Sequence, residues 1–252
     1  MKIKFLFVFA LAFLSFRAFG RQPIRVMIDP GHGGEDHGAQ YQGIEEKDVA
    51  LAVSQELFKL LGADKNFVPL LTRNKDEFIP LTARPEKAIS AKADIFVSIH
   101  ANSSPAMEAR GTEFYFENQV ASNEESELLA NRENSSKIKS PTGPDENSDL
   151  ENIISDLHHH EHMVMSEKLC QVLLETFRKE IKIKTRAIRQ APFHVLSAPM
   201  PSTLIELGFI SNPNEAHWLA QSDVQHKLAL AIYSGLRRFK EKLDKIHKKT
   251  VD

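Results

Sequence analysis

Four side chains in this 252-residue chain have the chemistry of a catalytic centre: His32, Glu46, His100 and Glu206. Two neutral imidazoles and one carboxylate are a common ligand set for catalytic zinc, which keeps its fourth position for water. A further carboxylate beside that position can take a proton from the water. The gaps of 14, 54 and 106 residues match no local ligand motif, so spacing alone leaves simpler readings open. His32 can cap a loop after Pro30-Gly31. Glu46 can sit in a first helical turn, where the dipole favours a carboxylate. His100 can be a satisfied core histidine. Glu206 resists such a reading, because Leu204, Ile205, Leu207 and Phe209 surround it and an unpaired carboxylate is costly to bury. Ser98 lies two residues before His100, but no Asp partner is apparent, so a serine nucleophile is not the expectation.

These residues are placed by an alternation of strands and helices. Ile24–Ile28 is a β-rich run that breaks into Asp29-Pro30-Gly31-His32-Gly33-Gly34. Asp48–Gly62 has apolar residues at helical spacing, with Asp48 as an N-cap and Gly62 as a stop. Phe67–Thr72 reads as a strand and Thr82–Lys92 as a helix. The run Asp94–His100 is an apolar strand ending in a turn, and Gly111–Phe116 alternates as another. Met163–Phe177 is helical, Phe193–Leu196 and Ser202–Leu207 read as strands, and Leu228 to Ile246 steps as a long closing helix. The pattern predicts a single α/β domain: a mostly parallel twisted sheet with helices on both faces. In such sheets ligands sit at the carboxyl ends of strands, where His32, His100 and Glu206 fall.

Composition sets the wider limits. Apolar residues at 42% and charged residues at 26% exclude wholesale disorder. A net charge of −2 gives no bulk attraction to nucleic acid, and seven basic against two acidic residues in Arg237–Lys249 suit a helix C-terminus. The single cysteine, Cys170, lies in an apolar helical pattern and can make neither an internal disulfide nor a thiolate metal site. Lys2 and Lys4, the apolar run Phe5–Phe16 and Ala18-Phe19-Gly20 form a secretory signal peptide over residues 1–20. The expectation is an exported, periplasmic, soluble protein with no stable membrane anchor after cleavage.

The blocks IDPGHGG (28–34), GIEEKDVALAV (43–53), LTR (71–73), L-x-x-R (81–84), FVSIHAN (96–102) and LIELGFISNP (204–213) resemble, in order, the zinc-dependent N-acetylmuramoyl-L-alanine amidases of type 3. The resemblance runs from Ile24 to about Lys240. It implies one zinc ion held by His32, Glu46 and His100, with Glu206 as the catalytic carboxylate. Glu45 competes with Glu46 for the ligand role, and the following Lys-Asp favours Glu46. The implied reaction cleaves the amide between N-acetylmuramic acid and the L-alanine of the peptidoglycan stem peptide. A non-catalytic peptidoglycan-binding module and a zinc carboxypeptidase acting on the stem peptide are the alternatives. A complete set of four residues argues against the first, and product analysis separates the second.

Between Glu117 and Asp156 lie 10 acidic and 3 basic residues, with Ser-Pro-Thr-Gly-Pro at 140–144. The resemblance to division-associated members of the family makes about 121–160 a regulatory insert. Its helix is expected to cover the zinc site, with one carboxylate on the open zinc position, until an activator protein displaces it. Asp149, Glu151 and Asp156 are the candidates for that carboxylate. His158, His159, His160 and His162 form a second cluster, which reads as an exposed helix face rather than a metal site. The basic helix at about 224–249 closes the domain. With neither a targeting domain before the first strand nor a wall-binding repeat after the last block, placement in the envelope is expected to depend on substrate, partner or insert.

Overall fold

The computed structural model describes residues 22–135, 149–181 and 184–251; side chains are described only outside 149–159 and 246–251. The signal-peptide region, the Ser-Pro-Thr-Gly-Pro segment and the side chains of Asp149, Glu151, Asp156, His158 and His159 lie outside the described residues.

A six-stranded sheet has the order β4-β1-β5-β8-β6-β7. Its strands are β1 (Ile24–Pro30), β4 (Phe67–Leu71), β5 (Ile95–Asn102), β6 (Thr112–Glu117), β7 (Thr185–Ala191) and β8 (Ser202–Phe209). The first four in that order run parallel, β6 runs antiparallel to β8, and β7 runs parallel to β6. A small hairpin, β2 (Gln40–Tyr41) with β3 (Ile44–Glu45), precedes the first helix. The helices are α1 (Glu46–Gly62), α2 (Ala83–Ser90), α3 (Glu124–Asn134), α4 (Asp149–Glu180), α5 (Pro213–Leu219) and α6 (Ser222–Val251). No helix among the described residues is long and apolar enough to cross a membrane.

The alternation of side chains along each strand divides the core in two. On one face Val97, Ile99, Phe114 and Ile205 pack against α1, α4 and α6 through Val53, Leu57, Phe177, Leu228 and Ile232. On the other face Phe96, Tyr115 and Leu204 meet Ala88 of α2, Leu129 and Ala130 of α3, and the loop after β7. The functional side chains stand on this second, thinner side. The thicker side carries the stability. Phe177 is fully buried there, its ring 5.1 Å from that of Phe114 in an edge-on contact. Phe177→Ala should cost about 3–5 kcal/mol, read as a lower urea midpoint at unchanged slope. A loss below about 1 kcal/mol would mean that this packing is not what holds the sheet.

Several elements differ from the sequence reading. Helix α1 starts at Glu46, two residues before the expected Asp48 cap, because the β2–β3 hairpin feeds straight into it and Glu46 N–H donates to Ala39 O at 2.9 Å. Phe193–Leu196 is not a strand. His194–Leu196 forms a single 3-10 turn, packed on the thin side through Val195 and Leu196. The strand beside β6 is instead Thr185–Ala191, whose half-polar sequence TRAIRQA hid it. Cys170 is buried as expected, and burial pushes its thiol up to about 12.

Candidate active site

The loop after β1 is shaped by two buried arginines. Arg73 donates from Nε to Pro30 O at 3.0 Å and from Nη2 to Gly31 O at 2.7 Å and Lys47 O at 2.9 Å. Arg84 donates from Nη1 to Pro30 O at 2.8 Å and Asp29 Oδ1 at 2.9 Å, and from Nη2 to His32 O at 2.8 Å. Asp29, fully buried, also accepts from Thr72 Oγ1 at 2.6 Å and Ser98 Oγ at 2.8 Å. Ser98 therefore has an acidic partner that the sequence did not reveal, but its hydroxyl is spent on the carboxylate that anchors Arg84. The LTR and L-x-x-R blocks are thus structural supports for the loop.

These bonds hold His32 at φ 56°, a left-handed conformation uncommon outside glycine. Gly31 before it must lack a side chain, since a Cβ there would lie 2.4 Å from His100 Cε1. The strand pairing does the rest. His100 of β5 is in register with Glu206 of β8, and Glu206 with Glu113 of β6, so all three carboxylate or imidazole groups share one row on one face.

The four expected residues come together, and a fifth joins them. His32 Nε2 is 3.1 Å from Glu46 Oε1, and His100 Nδ1 is 2.9 Å from the same oxygen. Glu133, at the end of α3, brings Oε2 to 3.4 Å from both His32 Nε2 and His100 Nδ1. Ligand atoms of a tetrahedral zinc with bonds of about 2.0–2.1 Å lie about 3.3 Å apart, close to these separations. Among the described residues, two groups of donor atoms converge within 4.8 Å: His32, Glu46 and His100, and His100, Glu133 and Glu206. Glu45 is turned away from them and pairs with His37 Nδ1 at 2.8 Å. His160 of the second histidine cluster is exposed and belongs to neither group.

The electrostatics also suit a cation. Burial opposes charge on His32, but the carboxylates of Glu46, Asp36 and Glu133 outweigh it and hold the ring well above its ordinary value. Burial likewise disfavours the Glu46 carboxylate, yet His32 and His100 hold it well below the usual range. Its oxygens are fixed by Ala101 N–H to Oε1 at 3.0 Å and Ala39 N–H to Oε2 at 2.8 Å. Glu206 is fully buried and neither oxygen accepts a hydrogen bond from the described residues, whereas His32 Nδ1 lies 2.9 Å from Asp36 Oδ1. Burial, then the negative charges of Glu46 and Glu133, push the Glu206 carboxyl well up, against the pull of Arg132. An orphaned carboxylate and crowded negative charge are costly without a shared positive partner. A divalent cation between His32, Glu46 and His100 fits both.

Glu133 was not among the residues singled out from sequence. It arrives because α3 is tied across the cleft. Arg132 donates to Ser103 O at 2.9 Å and Asn102 Oδ1 at 3.2 Å, and Asn134 donates to Pro192 O at 2.7 Å. A cavity of about 380 Å³ remains open beside Glu133, reaching Asp36, Gly38 and Ser103.

Residues 26–238 match the protein family described as N-acetylmuramoyl-L-alanine amidase. The chain belongs to that family. Among its amidase relatives, AmiC of Neisseria meningitidis serogroup B is 35% identical over 223 residues, covering 87% of this chain and 53% of that protein. The chain spans about half the length of such curated relatives. AmiC2 of Nostoc punctiforme, a solved amidase structure, superposes with a TM-score of 0.66 at 29% identity, covering 86% of this chain and 97% of that one. The CwlD amidase of Clostridioides difficile, solved in complex with the GerS lipoprotein, shares the fold with a TM-score of 0.64 at 22% identity, covering 86% of this chain and 98% of that one.

Proposed function

We propose that this chain hydrolyses the amide between the lactyl group of N-acetylmuramic acid and the L-alanine of the peptidoglycan stem peptide. His32, Glu46 and His100 hold one zinc ion, and Glu206 carries the proton. Family membership supports the reaction class. The observation that carries the reading is Glu206: a fully buried carboxylate with no hydrogen-bond partner, in the row next to His100.

When bound, zinc supplies Lewis acidity, polarising the scissile carbonyl and making water acidic near neutral pH. Glu46 is locked by two backbone amides, so it presents Oε1 to the site without searching rotamers. Glu206 accepts the proton of the attacking water at a carboxylate oxygen and delivers it to the alanine nitrogen as the C–N bond breaks. Its burial among other carboxylates makes that proton easy to hold and keeps bulk water from competing. The test is mass spectrometry of digested sacculi. Free stem peptides with an unmodified alanine amino terminus are expected; release of a C-terminal amino acid from the stem would favour the carboxypeptidase.

The docked α3 closes the site. Glu133, 3.4 Å from both His32 Nε2 and His100 Nδ1, would stand where the substrate carbonyl must go, and on this reading the docked helix is autoinhibitory. An activator protein of the division machinery, acting on the exported enzyme in the periplasm after removal of residues 1–20, would displace the insert at about 121–160. Glu133→Ala, folded and zinc-loaded, should hydrolyse purified peptidoglycan about tenfold faster or more without a partner, since each 1.4 kcal/mol lost from the closed state is tenfold in the open population. Equal rates for variant and parent would leave α3 with no inhibitory role.

A further inference from the structure

The strand row that holds His100 and Glu206 continues to Glu113 on β6, and beyond it to two arginines on the edge strand β7. Residues three apart on a regular strand point to opposite faces. Arg186 and Arg189 nevertheless reach the same carboxylate. A register shift makes this possible: Thr112 pairs with Thr185 but Phe114 with Ile188, so β7 carries an extra residue between them. Glu113, fully buried, holds both guanidinium groups by their Nε edges, with Oε1 at 3.3 Å from each. Arg186 is further held over the Phe209 ring, 5.3 Å from its centroid.

The outer ends of the two guanidinium groups face α3, and there they share one more carboxylate. Glu125 of α3 places Oε2 at 3.0 Å from Arg189 Nη1 and Oε1 at 3.5 Å from Arg186 Nη1 and Nη2. The helix that puts one carboxylate among His32, Glu46 and His100 thus puts a second, eight residues earlier and about 12 Å along its axis, between two arginines. If α3 leaves, the two guanidinium groups lose this carboxylate, and Arg189 Nη1 also loses Asn123 Oδ1 at 2.9 Å.

We propose that Arg186 and Arg189 form a carboxylate-binding subsite on the face that α3 covers, filled by Glu125 while α3 is docked and by a carboxylate of the substrate's peptide when it is not. The inference rests on the amidase reading above. On it, α3 imitates the substrate at two points, and the subsite selects stem peptides with a free carboxylate about 12 Å from the scissile amide. Paired guanidinium groups, pre-aligned by Glu113 and the bulge, are suited to such a group.

The test compares two soluble muramoyl peptides, one with its peptide carboxylates free and one with them amidated. Every protein in the test carries Glu133→Ala, which opens the site, and Glu125→Gln makes the parent, because Glu125 is 44% exposed and its change removes the carboxylate held between the arginines. It should prefer the acid peptide by about tenfold in kcat/KM, mainly through KM. Adding Arg189→Gln should bring the ratio close to one; Arg186→Gln serves the same purpose if Glu113 does not tolerate the first. Equal cleavage of both peptides by Glu125→Gln, or a preference that survives both arginine changes, would overturn the subsite while leaving the amidase reading intact. If neither peptide is cleaved, the amidase reading fails instead. Calorimetry of the same two peptides on Glu125→Gln then decides the subsite by itself: tighter binding of the acid supports it, equal binding refutes it.

Discussion

Glu206→Gln should keep its fold and its zinc and lose turnover by about a hundredfold to ten-thousandfold, the worth of a positioned proton carrier. Glutamine has the shape of glutamate and cannot accept a proton at this pH. It also removes a buried carboxylate that lies among Glu46, Glu133 and Glu113, all of which disfavour its charge. The variant should therefore be at least as stable as the parent in a thermal melt. That combination, activity lost with stability kept, separates chemistry from support. Near-parental turnover on purified peptidoglycan would remove Glu206 from its assigned role.

The double variant His32→Ala, His100→Ala should fall from one zinc per chain to none and lose all measurable hydrolysis. Glu46 would remain, with its two backbone amide bonds, but one carboxylate is a poor zinc site. Metal content by plasma emission after dialysis is the readout, since it does not depend on activity. Stoichiometric zinc in the double variant would place the metal elsewhere, and His162 with its neighbours on α4 would be the first residues to examine.

The parallel part of the sheet was legible because its strands are apolar runs cut by sharp turns, and because the helices between them keep their period. The same turns exposed His32 and His100. Strand β7 was not legible: in TRAIRQA the pairs Ala187-Ile188 and Arg189-Gln190 break the alternation, and its role is to carry Arg186 and Arg189 onto Glu113, a pairing about 70 residues away in sequence. Glu133 escaped for a related reason. Acidity marked the whole segment from 117 to 156, so charge could not single out one residue. What singles it out is Arg132, whose bonds to Asn102 and Ser103 fix the end of α3 over the histidines, and those contacts exist only once the sheet has formed. Asn123 caps α3 by accepting from Ser126 N–H at 2.9 Å.

The guanidinium bonds of Arg73 and Arg84 to the carbonyls of Pro30, Gly31 and His32 have a consequence for the life history of the molecule. In zinc fingers, ordering of the chain and capture of the ion are a single event, and neither happens without the other. Here two permanent cations within the chain already shape the loop that, on the proposed reading, would hold the metal ion. Ion capture then carries little entropic penalty for ordering the loop. A chain built this way would fold before it met its metal.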